Sequence, residues 1–522
     1  MGDDVHPVGV SLGPHLVGVS LPKPDHFQNP KMLALGVQKR VGCKTPLVQG
    51  NLFLELKAFT RKFVEENLKP LPKDTDFSVD TWLKNAPYPE KQKKVLMKAF
   101  RDKPVPTKKD FELKLFMKEE EYDSFKHARN IFAPSNRAKC HFGPYAAQIE
   151  KEVFKLPWFI KHVPFDKRID YLSQLVRNDF CYYETDYSSF EASFTKQVRS
   201  IENIMIKHML KYSAPFMTSS FEHLSKTKYF VNKGFRGSID ACRMSGEMTT
   251  SLCNGFTNLV VLCFVLEKAG IDYHDTPMVF EGDDGLFGIP NDVAIDTTLY
   301  ARLGFNLKFC KYSSIGEASF CGLTFDPLGK AIICDPCKVI AKFGWSSSSY
   351  VKSKDNVLKM LLRMKSLSYM AQYQNCPIVS EMTYAYCRLT SGFNLNRLMQ
   401  RNTRMDAYEL YKMKLVLDFH ENQPKFKFLP PQVDLNTRLL MEKKFGISVD
   451  LQLKYEAYFR NLSQIEPIPN YFETPDVWKH YSDQFVREEN VNSPYINSLC
   501  FGSDHFECHS RYALVRPNGT LI

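Results

Sequence analysis

No stretch of this 522-residue chain approaches the roughly 20 consecutive apolar residues that span a bilayer, which leaves any membrane association indirect. No charged leader with an apolar core opens the sequence, so no signal peptide is expected, and Met1-Gly2 lacks a myristoylation pattern because His6 stands where Ser or Thr is required. Cysteine is too thinly spread for a disulfide framework: 14 residues scattered over the chain read as reduced thiols of a cytosolic protein. Internal repeats are missing, which excludes solenoids and propellers. Gly42-Cys-Lys-Thr45 has the wrong spacing for a phosphate-binding loop, and no NTPase, helicase or capping motif is visible.

What remains is an ordinary globular composition, 44% hydrophobic and 24% charged, long enough for three or four subdomains. The net charge of +11, from 69 Lys and Arg against 58 Asp and Glu, favours a polyanionic partner. Basic residues concentrate between Lys91 and Lys139, a density suited to phosphates and equally to a solvated face. Cys334-Asp-Pro-Cys337 has no second pair and reads as a turn with two incidental thiols. Cys500, His505, Cys508 and His509 could gather around zinc, although free cysteine is more commonly a small buried hydrophobe.

Along the chain, residues 1–50 are rich in Gly, Pro, Val and His, show little periodicity and read as an extended arm or strands. Helices are expected over 51–67, 356–373 and 436–461, with linkers at Ser346 to Ser349 and at Leu429-Pro-Pro-Gln. The middle, about 178–345, alternates strand-like and helix-like segments and carries the chemistry.

Phe280-Glu-Gly-Asp-Asp-Gly-Leu-Phe287 places two adjacent acids on a glycine-flanked reversal between apolar runs. The pattern predicts a hairpin, with Gly282 and Gly285 allowing the turn and Asp283 and Asp284 at its tip. Adjacent carboxylates repel, so a cation is a natural reason to hold them together, and oxygen ligands suit Mg2+ or Mn2+. A solvated turn is the ordinary alternative, and Gly2-Asp3-Asp4 repeats the tripeptide without flanking strands. Upstream, Phe180-Cys-Tyr-Tyr-Glu-Thr-Asp186 is rich in strand formers and puts Asp186 at a carboxyl end, on one face with Glu184. Between them, Ser245-Gly246 leads into a helix on which Thr250, Asn254 and Asn258 recur every four residues. That polar stripe needs partners, from a ribose, a base edge or the surrounding backbone.

Asp186-x-x-x-x-Glu191, Ser245-Gly246-x-x-x-Thr250-x-x-x-Asn254 and Gly282-Asp283-Asp284, in that order, resemble motifs A, B and C of the RNA-dependent RNA polymerases of positive-strand RNA viruses, closest in flavour to the nodavirus, tombusvirus and flavivirus-like groups. Lys118-Glu-Glu-Glu and Lys126-His-Ala-Arg129 look like motif F, Leu303 to Lys308 with Lys311 like motif D, and Phe320-Cys-Gly322 like motif E. The similarity covers about 118–345.

The resemblance implies an α+β right-hand fold with fingers, a palm of antiparallel sheet flanked by helices, and a helical thumb. On it, residues 1–115 are an N-terminal extension with fingertips, 116–177 fingers, 178–345 palm with a finger insertion near 200–240, and 346–522 thumb and C-terminal segment. It further implies two Mg2+ ions, with Mn2+ as a substitute, held by Asp186, Asp283 and Asp284. Lys118 and Arg129 would neutralise the triphosphate, Glu191, Ser245, Gly246, Thr250 and Asn254 would contact the NTP, and Lys308 or Lys311 would be the general acid. Implied partners are an RNA template, nascent RNA, NTPs and other viral replication proteins, with no DNA, in the host cytoplasm at a replication complex. Glu191 departs from the family, which usually has Asp there, and weakens the reading of sugar selection. A reverse transcriptase, another two-metal nucleotidyl transferase or a non-catalytic RNA-binding viral protein are the alternatives.

Overall fold

The computed structural model describes residues 9–22, 30–118, 120–124, 126–164, 167–373, 375–395, 431–479 and the backbone of 512–515. Its centre is a four-stranded antiparallel sheet in the order Met278–Glu281, Asp284–Pro290, Phe180–Tyr187, Leu307–Tyr312. The hairpin strands Met278–Glu281 and Asp284–Pro290 are buried on both faces beyond the turn and so read as nearly continuous apolar runs, whereas the edge strand Leu307–Tyr312 keeps Lys308 and Lys311 exposed. Side chains alternate along each strand, so Cys181, Tyr183, Tyr187, Phe280 and Phe287 enter one core with the helices Gly50–Asn67, Lys196–Leu210 and Thr250–Lys268. Tyr182, Val279 and Leu286 enter another with Ile160, Phe320 and Phe325.

Thr250–Lys268 is the one helix among the described residues long and apolar enough to cross a membrane, and 78% of that stretch is buried inside the protein. Leu252, Phe256, Val260, Cys263 and Phe264 pack it into the first core. It is a central core helix around which the sheet and neighbouring helices are laid.

A second sheet of five strands runs Tyr512–Val515, Arg236–Asp240, Thr227–Val231, Leu113–Met117, Asn130–Ala133, with one parallel pair between Leu113–Met117 and Thr227–Val231. A third core joins Ala331, Ile333 and Phe343 to the helices Asp355–Gln372, Val379–Leu389, Leu435–Phe445 and Val449–Arg460. The single helix expected over 436–461 is two, because Gly446 takes the left-handed conformation (φ +68°) that ends the first and Ser448 caps the second by accepting from the Leu451 amide.

The amino-terminal expectation divides in the same way. Residues 9–22 are extended: Gly9–Ser11 pairs with Trp345–Ser347, and the Leu12 and Val17 amides donate to Gly344 and Ile468 carbonyls at 2.7 and 2.9 Å. Pro30–Arg40, however, is a helix that sends Met32, Leu33 and Val37 into the core of the five-stranded sheet. Its signals were a proline in the first turn and Lys39 and Arg40 in the last.

Candidate active site

The hairpin of Met278–Glu281 and Asp284–Pro290 closes through a two-residue loop, Gly282-Asp283, between the paired residues Glu281 and Asp284. Gly282 has φ +62°, which suits glycine at the first position of so tight a reversal. Gly285, expected to help the turn, lies inside the strand instead. A Cβ there would stand 2.8 Å from Thr185 Oγ1 and 2.9 Å from the Phe280 ring, so the glycine permits close strand packing. Asp283 is therefore the loop residue and Asp284 the first of its strand. Buried Asn258 fixes the loop from below: its Nδ2 donates to the Gly282 and Asp283 carbonyls at 3.3 and 2.9 Å, and its Oδ1 accepts from the Tyr187 hydroxyl at 3.1 Å.

Pairing of Thr185 with Gly285 makes Asp186 and Asp284 the next residues outward on neighbouring strands. Opposite residues of an antiparallel pair share a face, so Asp186, Glu184, Glu281 and Asp284 lie on one side of the sheet. Asp186, Asp283 and Asp284 are exposed. The Asp284 carboxyl is nevertheless pushed up to about 6, first by loss of water in the cleft and then by Asp283, with Glu281 and Asp186 adding to it against a hydrogen bond from Cys321. Asp283 is raised too, chiefly by lost hydration and also by Glu191, while Arg129 and Arg40 oppose the shift.

The fields of Arg129 and Arg40 offset this only in part, and a hard divalent cation is the partner the chemistry of these oxygens fits. Among the described residues no three His, Cys, Asp or Glu side chains form a ready-made metal cage. A pocket of about 300 Å³ continues from the acids, lined by Glu184, Asp284, Ser319, Cys321, Thr324 and Lys338.

The cations expected at this site come together on one acid. Lys118 Nζ contacts Glu120 Oε1, and Arg129 Nη1 lies 3.4 Å from the same oxygen, while the Lys118 amide donates to the Arg129 carbonyl at 2.8 Å. Lys308 stands opposite Asp186 in the register and shares its face. Lys311 is opposite Tyr183, on the other face, with its ammonium 5.8 Å from that ring.

Gly246 has φ +114°, and a Cβ there would meet the Phe132 carbonyl oxygen at 2.7 Å, while the Phe132 amide donates to the Ser245 carbonyl at 2.7 Å. Thr250 Oγ1 donates to the Met244 and Glu247 carbonyls at 3.1 and 2.9 Å, so this hydroxyl closes the loop on itself. Asn254 Oδ1 accepts from Arg243 Nε at 3.1 Å, leaving its amide nitrogen as the group to donate. Of the polar stripe read from the sequence, Thr250 and Asn258 thus serve backbone, and Asn254 is anchored by a guanidinium.

Glu247, one residue past Gly246, belongs to a buried ion cluster. Arg199 Nη2 donates to it at 2.8 Å and Arg243 Nη1 at 3.0 Å, Lys228 contacts it, and Arg243 also contacts buried Glu202. Burial alone would raise the Glu247 carboxyl, but Arg199, Lys228 and Arg243 outweigh it and hold it well below its ordinary value. Lys228 is pushed down to about 7 by burial and by Arg199, against the pull of Glu247.

Several of these partners were not read from the sequence. Arg40, the last residue of Pro30–Arg40, donates from Nε to Glu191 Oε1 at 2.6 Å, a pair with no local spacing to announce it. Within the cluster Arg199 and Glu202 are three apart and Arg243 and Glu247 four apart, but only the first pair lies on a helix, where such spacing predicts a contact. Cys337 lies in the first turn of the helix Pro336–Phe343, capped by Asp335, while Cys334 precedes that helix and its Sγ lies 3.9 Å from Cys376 Sγ. Cys500, His505, Cys508 and His509 lie outside the described residues.

A family of proteins described as RNA dependent RNA polymerase matches residues 49–390, and the chain belongs to that family. It is similar to an RNA-directed RNA polymerase of Greasy grouper nervous necrosis virus, 25% identical over 39% of this chain and 22% of that protein. It is also similar to an RNA-directed RNA polymerase of Panicum mosaic virus, 22% identical over 62% of this chain and 33% of that protein. The chain thus spans no more than about a third of the length of these relatives.

Proposed function

We propose that this chain carries out template-directed RNA synthesis for a virus in its host cell, joining NTPs to an RNA 3′ end. The observation that carries this reading is the placement of Asp186 and Asp284 side by side on neighbouring strands with Asp283 in the adjoining loop, where lost hydration and then the neighbouring acids raise Asp284 and the field of Arg129 reaches Asp283. Family membership supports it. On this reading the four-stranded sheet is the palm, the five-stranded sheet belongs to the fingers, and the helices after about 346 form the thumb.

Asp186 and Asp283, assisted by Asp284, would hold two divalent cations, which supply a lowered pKa at the 3′-hydroxyl and neutralise charge on the departing pyrophosphate. The 3′-oxygen attacks the α-phosphorus, the bond from that phosphorus to the bridging β-phosphate oxygen breaks, and pyrophosphate leaves. Asn258 holds the Asp283 loop at a fixed height by its two backbone contacts. Arg129 and Lys118 exchange Glu120 for the triphosphate. Asn254 and Glu191 meet the ribose, whose 2′-hydroxyl marks an RNA precursor. Lys308 is favoured over Lys311 as proton donor to pyrophosphate because the register puts it beside Asp186.

Purified protein supplied with primed RNA, NTPs and Mg2+ tests the proposal. Asp283→Ala should cut incorporation by about a thousandfold or more, and Lys308→Ala should slow it more than Lys311→Ala does. Incorporation that survives Asp283→Ala sinks the assignment of the carboxylates.

A further inference from the structure

Glu191 is held from two directions. Its backbone carbonyl accepts from the Arg243 amide at 3.1 Å and from the Cys242 thiol at 2.8 Å, and its carboxylate accepts from Arg40 Nε at 2.6 Å. The same Arg243 that grips the Glu191 backbone also donates from its side chain to Asn254. The two groups expected at the ribose are therefore tied through one residue, and the free end of Glu191 is steered by another from far upstream.

The helix that carries Arg40 is firmly seated for this role. Asn130 Nδ2 donates to the Leu33 carbonyl at 3.0 Å, which fixes the helix to the five-stranded sheet. At its other end Ser189, left-handed at φ 52°, donates from Oγ to the Lys39 carbonyl at 3.3 Å, two residues before Glu191. The Arg40–Glu191 pair remains part-exposed, with 32% and 19% of the side chains accessible. The fields of Arg40 and Glu191 both reach Asp283. An aspartate at this position, one methylene shorter, would fall short of a guanidinium placed this way.

We infer that Arg40 is a positioning residue for sugar recognition: it takes one oxygen of Glu191 and so aims the other at the ribose 2′-hydroxyl, alongside the Asn254 amide. This rests on the polymerase reading of the site. It gives the longer acid a reason, because the extra methylene lets one carboxylate serve the guanidinium and the ribose together. It also makes sugar choice depend on the seating of the helix Pro30–Arg40.

The test compares kcat/KM for ATP and dATP in primed single-nucleotide incorporation by the full chain, with thermal unfolding as a check on folding. Arg40→Ala should lower the ATP-over-dATP preference about tenfold, the size of one charge-assisted hydrogen bond, mainly through KM for ATP. Arg40→Lys, which keeps the charge without the fork, should fall between Arg40→Ala and the parent. Glu191→Asp should resemble Arg40→Ala, and the double variant should be no worse than either single one. An unchanged preference in folded Arg40→Ala or Arg40→Lys, or losses that multiply in the double variant, overturns the inference while leaving the polymerase reading intact. A parent protein that adds neither nucleotide overturns both.

Discussion

At the hairpin, Asp186, Glu281, Asp283 and Asp284 act on one another at an open cleft, whereas around Glu247 the acids are enclosed and matched by Arg199, Arg243 and Lys228. Both places gather charge at high density, but they treat it oppositely. Where the acids are matched inside the protein, the result is a fixed loop: Glu247 also accepts from the Met244 amide at 3.2 Å and so anchors the turn that presents Ser245 and Gly246. Where they are left unmatched, part of the folding energy is held as repulsion that a cation can relieve. On the proposed function, the contrast separates charge that builds the scaffold from charge kept for a ligand.

The largest effect should come from the matched cluster. Glu247→Gln leaves Arg199 and Arg243 to share Glu202 and takes from Lys228 the acid it contacts, and should cost about 3 to 5 kcal/mol in urea unfolding. Because the folded Glu247 carboxyl lies below its ordinary value of 4.5, its contribution is present above that pH and is lost as pH falls below it. Asp284 should behave in the opposite sense. Its carboxyl is raised from 3.8 to about 6, so in metal-free protein the fold binds the extra proton and stability falls as pH rises through that window. Asp284→Asn should therefore not lower the melting temperature at pH 7 and should flatten that slope. If Asp284→Asn destabilises as much as Glu247→Gln, the distinction between the two regions collapses.

A middle-sized effect should appear at the joint between scaffold and cleft. Asn258 spends both ends of its amide on the hairpin and Tyr187, and Asn258→Ala strands two carbonyls and a hydroxyl at a cost of about 1 to 3 kcal/mol. Because the loop it holds carries Asp283, kcat should fall while KM for NTP changes little. A raised KM with kcat intact would assign Asn258 to substrate contact.

The same contrast explains what could be read in advance. The placement of Asp186 near a strand end and of Asp283 and Asp284 at a tight reversal was legible because small turns and strand ends leave local patterns in sequence. The helix Thr250–Lys268 was legible as a polar stripe among apolar residues, yet the stripe could not say which of its members face a ligand. Asn258 and Thr250 turned inward because backbone carbonyls of the hairpin and of residues 244 and 247 lie within reach. Arg40 was illegible since its partner is 151 residues away, and a pairing of that span is set by tertiary packing alone. Helix boundaries near 446 and the helix Pro30–Arg40 were missed where capping residues outweighed, or substituted for, periodicity.

The smallest effect concerns Glu120, a part-exposed acid that stands between the two regions in kind. It is matched by Lys118 and Arg129, but in the open, where such pairs contribute only about 0 to 1 kcal/mol. A contact that weak can be displaced by a triphosphate, which carries more charge on more oxygens and would take both cations at once. Glu120→Gln should therefore lower the KM for NTP by at most about fivefold and leave kcat and thermal stability nearly unchanged. The gain should shrink as salt is raised, since the competing pair is screened along with the substrate. A KM that rises instead shows that Glu120 holds Lys118 and Arg129 in place for the phosphates, which would move it to the side of the scaffold with Glu247.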